Sequence, residues 1–195
     1  MVKNDLNDKK EEIEALVERV KEDDHEAFAV LYDMFVDPLY RYIFYRVGSD
    51  EAEDILEIVF MKVWENIHKY VPGKSTFSAW IFRIAHNLVV DHYRVNSGKE
   101  VQELSETLPD MNREHNPIRT TELSLNNDLL KLALSKLKKK YRDVLIYKFI
   151  NQLSNKEIAH IMSKTEGGVR ILQFRALNSL KIELEAMGVK GGFLL

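Results

Sequence analysis

The sequence predicts an all-α protein in which two small helical domains are joined by a flexible linker. Helix start and stop signals are frequent, strand patterns are absent, and the 195 residues include only 8 Gly and 4 Pro, which disfavours a turn-rich β fold. A polar stretch with Pro109 and Pro117 and no sustained period separates the two helical parts. The predicted units are a charged helical extension at 1–24, a first domain at 25–97, the linker at 98–125, a second domain at 126–187 and a tail at 188–195.

Three features of the composition predict a cytoplasmic protein. The chain has no cysteine, which excludes disulfides, thiolate metal sites and thiol chemistry. Its first 24 residues are highly charged and contain no apolar core of signal-peptide length. The longest wholly apolar run, AFAVLY, is far too short to span a membrane.

Two helices are predicted early in the first domain. An amphipathic segment at 9–22 precedes a D-x-x-E motif at 23–26, which predicts a capping box for the next helix. That helix, AFAVLYDMF, is expected to end at Pro38, because proline suits the first turn of a new helix. The new helix, LYRYIFYRV, is expected to end at Gly48.

Two longer helices complete the first domain. The segment EAEDILEIVFMKVWENIHKY repeats an apolar residue every four positions, which predicts a buried stripe of Ile55, Val59, Val63 and Ile67. Pro72-Gly73 ends that segment, and a last helix is expected from about residue 75. Within it, WIFRIAHNLVVDHYR at 80–94 carries a second predicted core stripe, formed by Ile81, Ile84, Ala85 and Leu88.

A neighbouring arc of this last helix carries planar and polar side chains. At ~100° per residue they fall within roughly 80° of one another; they are Trp80, Arg83, Asn87, Asp91 and Arg94. An aromatic ring, an amide and guanidinium groups suit stacking and hydrogen bonding to bases and phosphates. The alternative is a core helix whose polar edge is simply solvated.

The second domain contains a helix-turn-helix pattern in LSNKEIAHIMSKTEGGVRILQFRALNSLK. Ser154-x-x-Glu157 predicts a capping box at the start of a short helix. A turn at 163–165 leads to a second helix with an apolar stripe of Val169, Leu172, Ala176 and Leu180. In this motif the second helix enters the major groove of DNA, and the predicted exposed positions are Glu166, Arg170, Gln173 and Arg175. A plain helical hairpin is the alternative.

The charge distribution favours DNA as the partner of the second domain. The whole chain has a net charge of -3, but residues 126–195 hold 13 basic and 6 acidic side chains, a local balance of +7. A chain with one basic end suits a protein in which one part approaches DNA and another part meets a protein.

Together the two halves resemble bacterial sigma-70-type initiation factors, specifically the small two-domain extracytoplasmic-function (ECF) group. AEDILEIVFMKVW resembles the polymerase-binding helix of region two, and STFSAWIFRIAHNLVVDHYR the helix that reads the −10 element. NKEIAHIMSKTEGGVRILQFRAL resembles the region-four helix-turn-helix that reads the −35 element. The resemblance implies a non-enzymatic subunit, without cofactor or metal, that binds core RNA polymerase and promoter DNA and is usually held inactive by an anti-sigma factor.

The resemblance also implies three sets of site residues. The −10 set is Lys74, Ser75, Phe77, Trp80, Arg83, Asn87 and Arg94; for Phe77 and Trp80 a place in the core is the alternative, and it is favoured for Phe77. The −35 set is Lys164, Thr165, Glu166, Arg170, Gln173 and Arg175. The polymerase set is Asp54, Glu57, Phe60 and Trp64, of which the two aromatic residues are equally compatible with burial.

Two other classes of function are alternatives to a sigma factor. A free-standing helix-turn-helix regulator would bind duplex DNA without polymerase, but the region-two likeness and the lack of a ligand domain favour the sigma factor. An enzyme finds little support, because the six histidines form no zinc-type pair or nucleophile arrangement and no Gly-rich phosphate loop follows a strand.

Overall fold

The predicted all-α class is confirmed. A computed structural model describes residues 9–48, 51–97 and 121–189, and no strand occurs within these ranges. Residues 98–120 of the predicted linker and 190–195 of the predicted tail lie outside the described residues. The helices are α1 (Lys10–Lys21), α2 (His25–Val47), α3 (Ala52–Asn66), α4 (Phe77–Ser97), α5 (Thr121–Lys136), α6 (Lys139–Leu145), α7 (Asn155–Ile161) and α8 (Glu166–Ala186).

Two short turns complete the architecture: a 3₁₀ turn at Ile67–Lys69 follows α3, and a π-helical turn at Ile146–Ile150 continues α6. We call α1–α4 the N-terminal bundle and α5–α8, with the π-helical turn, the C-terminal bundle. Helix α1 belongs to the first of these, because its apolar residues are buried, largely against α2: Ile13, Leu16, Val17 and Val20. Burying an aliphatic side chain contributes roughly 1.5–3 kcal/mol, so α1, within the charged extension, is a structural part of this bundle.

Helix α2 passes through Pro38 without ending, so the predicted helix end at this proline was wrong. An internal proline costs about 3 kcal/mol, because it lacks an N–H donor and crowds the preceding turn. One buried stripe nevertheless continues on both sides of it, formed by Leu31, Phe35, Leu39, Tyr42 and Ile43. Burial of five large side chains at roughly 1.5–3 kcal/mol each outweighs the cost of the proline.

The start of α2 also differs from the prediction by one residue. Asp24, not Asp23, is the N-cap, and its side chain accepts a hydrogen bond from the backbone N–H of Ala27 at 3.0 Å. Asp23 adopts a positive φ of 63° in the turn between α1 and α2. The chain therefore needs one more residue to reverse direction than the D-x-x-E spacing implies.

The core stripe of α3 is confirmed, whereas that of α4 is wider than predicted. Ile55, Val59, Val63 and Ile67 are all buried. In α4, Ile81 and Ala85 are buried as predicted, but Ile84 and Leu88 are half-buried, and Phe82 and Val89 are buried as well. The reason is that α4 packs against α2 and α3 on one side and against α7 on another.

The helix-turn-helix forms as predicted. Ser154 caps α7 in a capping box, in which its hydroxyl accepts from the Glu157 N–H at 3.2 Å and the Glu157 carboxylate accepts from the Ser154 N–H at 2.9 Å. Ser163, in the turn before α8, has a φ of 52°, a conformation that favours glycine. Val169, Leu172 and Ala176 of α8 are buried.

The two bundles pack directly against each other, a contact that the prediction of two domains on a linker did not include. Helix α4 lies against α7, and α2 lies against the π-helical turn and α5. The rings of Tyr42 and Tyr147 stack across this contact, with centroids 4.8 Å apart and planes 14° from parallel. This contact has α2 and α4 on one side and α5–α7 with the π-helical turn on the other. We call it the bundle interface.

Candidate nucleic-acid and polymerase interfaces

We call the arc of α4 that carries Trp80, Arg83, Asn87, Asp91 and Arg94 the polar arc. Together with the turn before α4, it presents part of the predicted −10 set to solvent. Lys74, Asn87 and Arg94 are exposed, and Ser75 is half-buried, with its carbonyl accepting a hydrogen bond from the Tyr70 hydroxyl at 3.1 Å. Arg94 donates to the Asp91 carboxylate at 3.2 Å, so Asp91 orients this guanidinium. These residues offer hydrogen-bond donors to a nucleic-acid strand.

The aromatic members of that set are less accessible. Phe77 is only 1% exposed and packs edge-on against Phe35, at 5.4 Å between ring centroids. Trp80 is half-buried and leans on Phe77 and Tyr70, at 5.5 and 5.7 Å. The structure thus places Phe77 in the core, whereas Trp80 keeps part of its ring at the surface.

Arg83, from the middle of the same set, is engaged by the C-terminal bundle. Its Nη1 donates to the backbone carbonyl of His160 in α7 at 3.3 Å. At the residue immediately before α4, the Thr76 hydroxyl donates to the Glu157 carboxylate at 2.6 Å. Two hydrogen bonds therefore join α7 to the start and middle of the polar arc.

A cluster of aromatic rings lies behind this contact. His86 Nδ1 is 3.2 Å from the Tyr42 hydroxyl and 3.1 Å from the Tyr147 hydroxyl, so one ring nitrogen meets both bundles. Burial, with the nearby Arg46 and Arg83 cations, lowers the pKa of His86 to about 4. Burial raises the pKa of both tyrosines, and the cluster is therefore uncharged near pH 7.

A buried ion pair closes the other side of the bundle interface. Arg46 of α2 and Asp143 of α6 form a salt bridge in which both side chains are almost wholly buried. The Tyr93 hydroxyl donates to the Arg46 carbonyl, and the Arg46 guanidinium lies 5.5 Å from the Tyr93 ring centroid. Asn151 also crosses the interface, donating to the Pro38 carbonyl at 2.8 Å.

Helix α8 presents most of the predicted −35 set. Lys164, Arg170 and Arg175 are exposed, and Arg170 lies 3.9 Å from Glu166. Thr165 is the N-cap, with its hydroxyl accepting from the Gly168 N–H at 3.1 Å. Gln173 instead turns inward and donates to Asn155 of α7 at 2.9 Å.

Two exposed apolar residues in the first half of α8 were not predicted from the sequence. Ile171 is 56% exposed and Phe174 is 68% exposed. A signal was present in the sequence, because both residues fall outside the stripe of Val169, Leu172 and Ala176 that faces the core. Ile171 and Arg175 also line an open concavity of about 450 Å³ beside the turn before α8.

Helix α3 carries the predicted polymerase set on two faces. Asp54 and Glu57 are exposed, whereas Phe60 is buried beside Tyr32, and Trp64 is half-buried and stacks on His25 at 5.0 Å. Ile58 and Met61 are exposed near the two carboxylates. The surface of α3 is therefore acidic and partly apolar, with methionine and isoleucine rather than the aromatic rings as its apolar part.

The described residues contain neither a candidate metal site nor a candidate membrane-spanning helix. Within residues 9–48, 51–97 and 121–189, no group of three His, Cys, Asp or Glu side chains is placed to hold a metal ion. In the same ranges no helix combines the length and apolarity needed to cross a bilayer.

Each of the two bundles matches a model of a known protein family. The Sigma-70 region 2 model matches residues 31–98, and the Sigma-70, region 4 model matches residues 127–180. The chain belongs to the sigma-70 family, in the ECF group of sigma factors. The resemblance identified from the sequence is thereby confirmed, and the free-standing regulator is not favoured.

Individual relatives agree with this assignment. The sigma factor is 34% identical to the ECF RNA polymerase sigma factor BldN of Streptomyces coelicolor over 85% of its own length and 63% of BldN. It is 29% identical to the ECF sigma factor SigW of Bacillus subtilis over 88% of its length and 96% of SigW.

Two solved structures share the fold at 21% identity. CnrH, solved in complex with the cytosolic domain of CnrY, superposes with a TM-score of 0.68, and the superposition covers 88% of this sigma factor and 96% of the CnrH chain. RpoE from Bartonella quintana, solved in complex with the anti-sigma factor NepR, superposes with a TM-score of 0.62, and the superposition covers 81% of this sigma factor and 96% of the RpoE chain.

Proposed function

We propose that this ECF sigma factor binds core RNA polymerase and directs promoter recognition and DNA melting at the start of transcription. The observation that carries the proposal is the presence of region 2 and region 4 in one chain, in this order. The polymerase performs the chemistry, and the sigma factor, acting in the cytoplasm, contributes binding surfaces and no catalytic centre.

Each surface receives one task in this proposal. The polar arc of α4 and the turn before it bind the single-stranded −10 element, since a base that leaves the stack needs a stacking surface and hydrogen bonds to its edge. The exposed face of α8 enters the major groove at the −35 element. The acidic, partly apolar surface of α3 that includes Asp54 and Glu57 binds the polymerase.

The bundle interface sets a condition on the first task. Nη1 of Arg83 donates to the His160 carbonyl and is not available to −10 DNA in this arrangement, and the Thr76 hydroxyl is held by Glu157. A single strand that follows the whole arc would also meet α7. We therefore place core binding before −10 binding: the polymerase separates the bundles and frees the arc.

An anti-sigma factor is the proposed inhibitory partner. RpoE of Bartonella quintana was solved with an anti-sigma factor, NepR. A protein that holds the two bundles together would keep Arg83 against α7 and prevent −10 binding. Such a partner would act on the equilibrium between packed and separated bundles.

The test measures binding of a labelled promoter fragment at fixed moderate salt, with and without sigma-free core polymerase, because phosphate contacts make affinity depend strongly on salt. The proposal predicts binding that requires core, together with permanganate-reactive thymines around −10. Tight binding by the sigma factor alone, unchanged by core, would instead support a free-standing regulator.

A further inference from the structure

The exposed face of α8 has an unusual centre for a DNA-reading helix. At ~100° per residue, four residues lie within roughly 60° of one another in the middle of the face: Gly167, Ile171, Phe174 and Asn178. Arg170 and Arg175 lie about 40° outside this arc, one on each side. The middle of the face is thus mainly apolar and its edges are basic.

Packing within the chain does not cover the side chains of Ile171 and Phe174. They remain 56% and 68% exposed even with the two bundles packed together. Single exposed apolar residues are common on protein surfaces. These two, however, are three positions apart and therefore neighbours on the helix, and each has an exposed arginine four positions away.

The charge pattern identifies DNA as the occupant of this face. The C-terminal part of the chain, 126–195, has a balance of +7, and Arg170 and Arg175 flank the apolar pair as phosphate contacts would. Gly167 adds no side chain to the face, and a Cβ built there meets nothing within 4 Å. The first turn of α8 is therefore open to close approach by a groove.

The chemistry of the apolar pair selects the base. Isoleucine and phenylalanine side chains neither donate nor accept hydrogen bonds, so they cannot read the polar groups on base edges. In the major groove the C5-methyl group of thymine is the apolar group that such side chains contact. We propose that Ile171 and Phe174 read thymine methyl groups in the −35 element, while Arg170 and Arg175 hold the phosphates on either side.

The inference rests on the proposed function and is tested with the sigma factor bound to core polymerase. Each thymine of the −35 element of a promoter that this holoenzyme uses is replaced in turn by deoxyuridine, which keeps base pairing and removes only the methyl group. Affinity is expected to fall roughly fourfold at a contacted thymine, the factor that follows from burying about one methylene-sized group. Phe174→Ala or Ile171→Ala should bind more weakly and lose that sensitivity.

Ile182→Ala provides the matched control. Ile182 is 64% exposed on the same helix but lies about 12 Å beyond Phe174 along the axis, so its replacement should leave the thymine-to-deoxyuridine ratio unchanged. Two results would overturn the inference. One is a −35 element that contains no thymine, and the other is equal affinity for thymine and deoxyuridine at every position. A Phe174→Ala variant whose main loss is affinity for core polymerase would overturn it as well, because the face would then be a protein contact.

These outcomes are separable from failure of the proposed function. A holoenzyme that binds and opens its promoter but ignores the methyl groups contradicts only the methyl reading. A chain that fails to direct core polymerase to any promoter contradicts the proposed function itself.

Discussion

The two surfaces assigned to DNA differ in how much of each is open. On α8, Arg170, Ile171, Phe174 and Arg175 are all exposed. On α4, Asn87 and Arg94 are exposed, but Arg83 is bonded to the His160 carbonyl of α7. The α8 surface is therefore open in the packed arrangement, whereas the α4 surface is partly used in the contact between the two bundles of the same chain.

This difference indicates an order of events. Under the proposed function, a −35 contact needs no separation of the bundles, whereas full −10 contact requires the loss of the bonds from Arg83 and Thr76 to α7. The cost of separation is set by the bundle interface, above all by the buried Arg46–Asp143 pair and the Tyr42–Tyr147 stack. Single substitutions and changes of pH can alter the two surfaces independently.

Locking the bundles together should have the largest effect. The chain has no cysteine, so Thr76→Cys with Glu157→Cys introduces one thiol on each side of a 2.6 Å hydrogen bond. Oxidation to a disulfide should abolish promoter opening by the holoenzyme, measured by permanganate reactivity. The reduced double variant is the control, because it carries the same loss of helix caps. Equal opening in the oxidised and reduced forms would refute a need for separation.

Removing one partner of the buried ion pair should weaken the packed arrangement strongly. Asp143→Ala leaves the Arg46 guanidinium buried without its carboxylate, which typically costs about 3–5 kcal/mol. We expect the free energy of unfolding in urea to fall by that order. Asp91→Ala breaks the exposed pair with Arg94 and should cost less than about 1 kcal/mol. Similar small losses for both variants would mean that Arg46 already reaches water.

The open surface should respond to Arg175→Ala directly. Loss of a base or phosphate contact should weaken promoter binding by the holoenzyme by roughly 1–3 kcal/mol, measured by fluorescence anisotropy at fixed salt. Lys181→Ala, at an exposed cation nearer the end of α8, is the matched control and should have a smaller effect. An unchanged affinity for Arg175→Ala would remove this residue from the DNA face.

Acid should destabilise the bundle interface through His86. The pKa of His86 is lowered from 6.5 to about 4 by burial and by the cations of Arg46 and Arg83. The unfolded chain therefore binds more protons between these values, and stability falls as the pH is lowered from 6.5 towards 4. We expect a loss of about 1–2 kcal/mol between pH 7 and 5 in urea titrations. His86→Gln should flatten this slope, and an unchanged slope in that variant would assign the pH dependence to other groups.

Asn87→Ala should have the smallest effect and should act on the −10 step alone. The side chain is exposed on the polar arc of α4, so its loss removes about one hydrogen bond, worth roughly 1 kcal/mol. Promoter opening should decrease about fivefold, with unchanged affinity for core polymerase. A parallel loss of core affinity would assign Asn87 a structural role.

Local patterns in the sequence predicted most of the helices and failed where distant residues decide. The capping box of Ser154 and Glu157 and the buried stripe of α3 depend on neighbours along the chain, and both formed as predicted. The passage of α2 through Pro38 depends on a buried stripe that outweighs a local rule.

The bundle interface was beyond the reach of such patterns. Its partners, such as Arg46 with Asp143 and Thr76 with Glu157, lie far apart in the sequence and meet only after both bundles have formed. The same contact explains why exposure within the −10 set was difficult to anticipate. The −35 set was easier, because helix periodicity alone separates the buried stripe of α8 from its exposed face, although Gln173 turned towards α7.

The distance between the two bundles shows most simply whether core polymerase separates them. Glu11→Cys and Glu185→Cys place one label on an exposed position of each bundle in a chain that has no other cysteine. If core polymerase separates the bundles, the free sigma factor gives one short distance distribution and the core-bound form a longer one, with promoter opening only in the second state. An unchanged distance in a holoenzyme that opens its promoter would mean that the bundles need not separate.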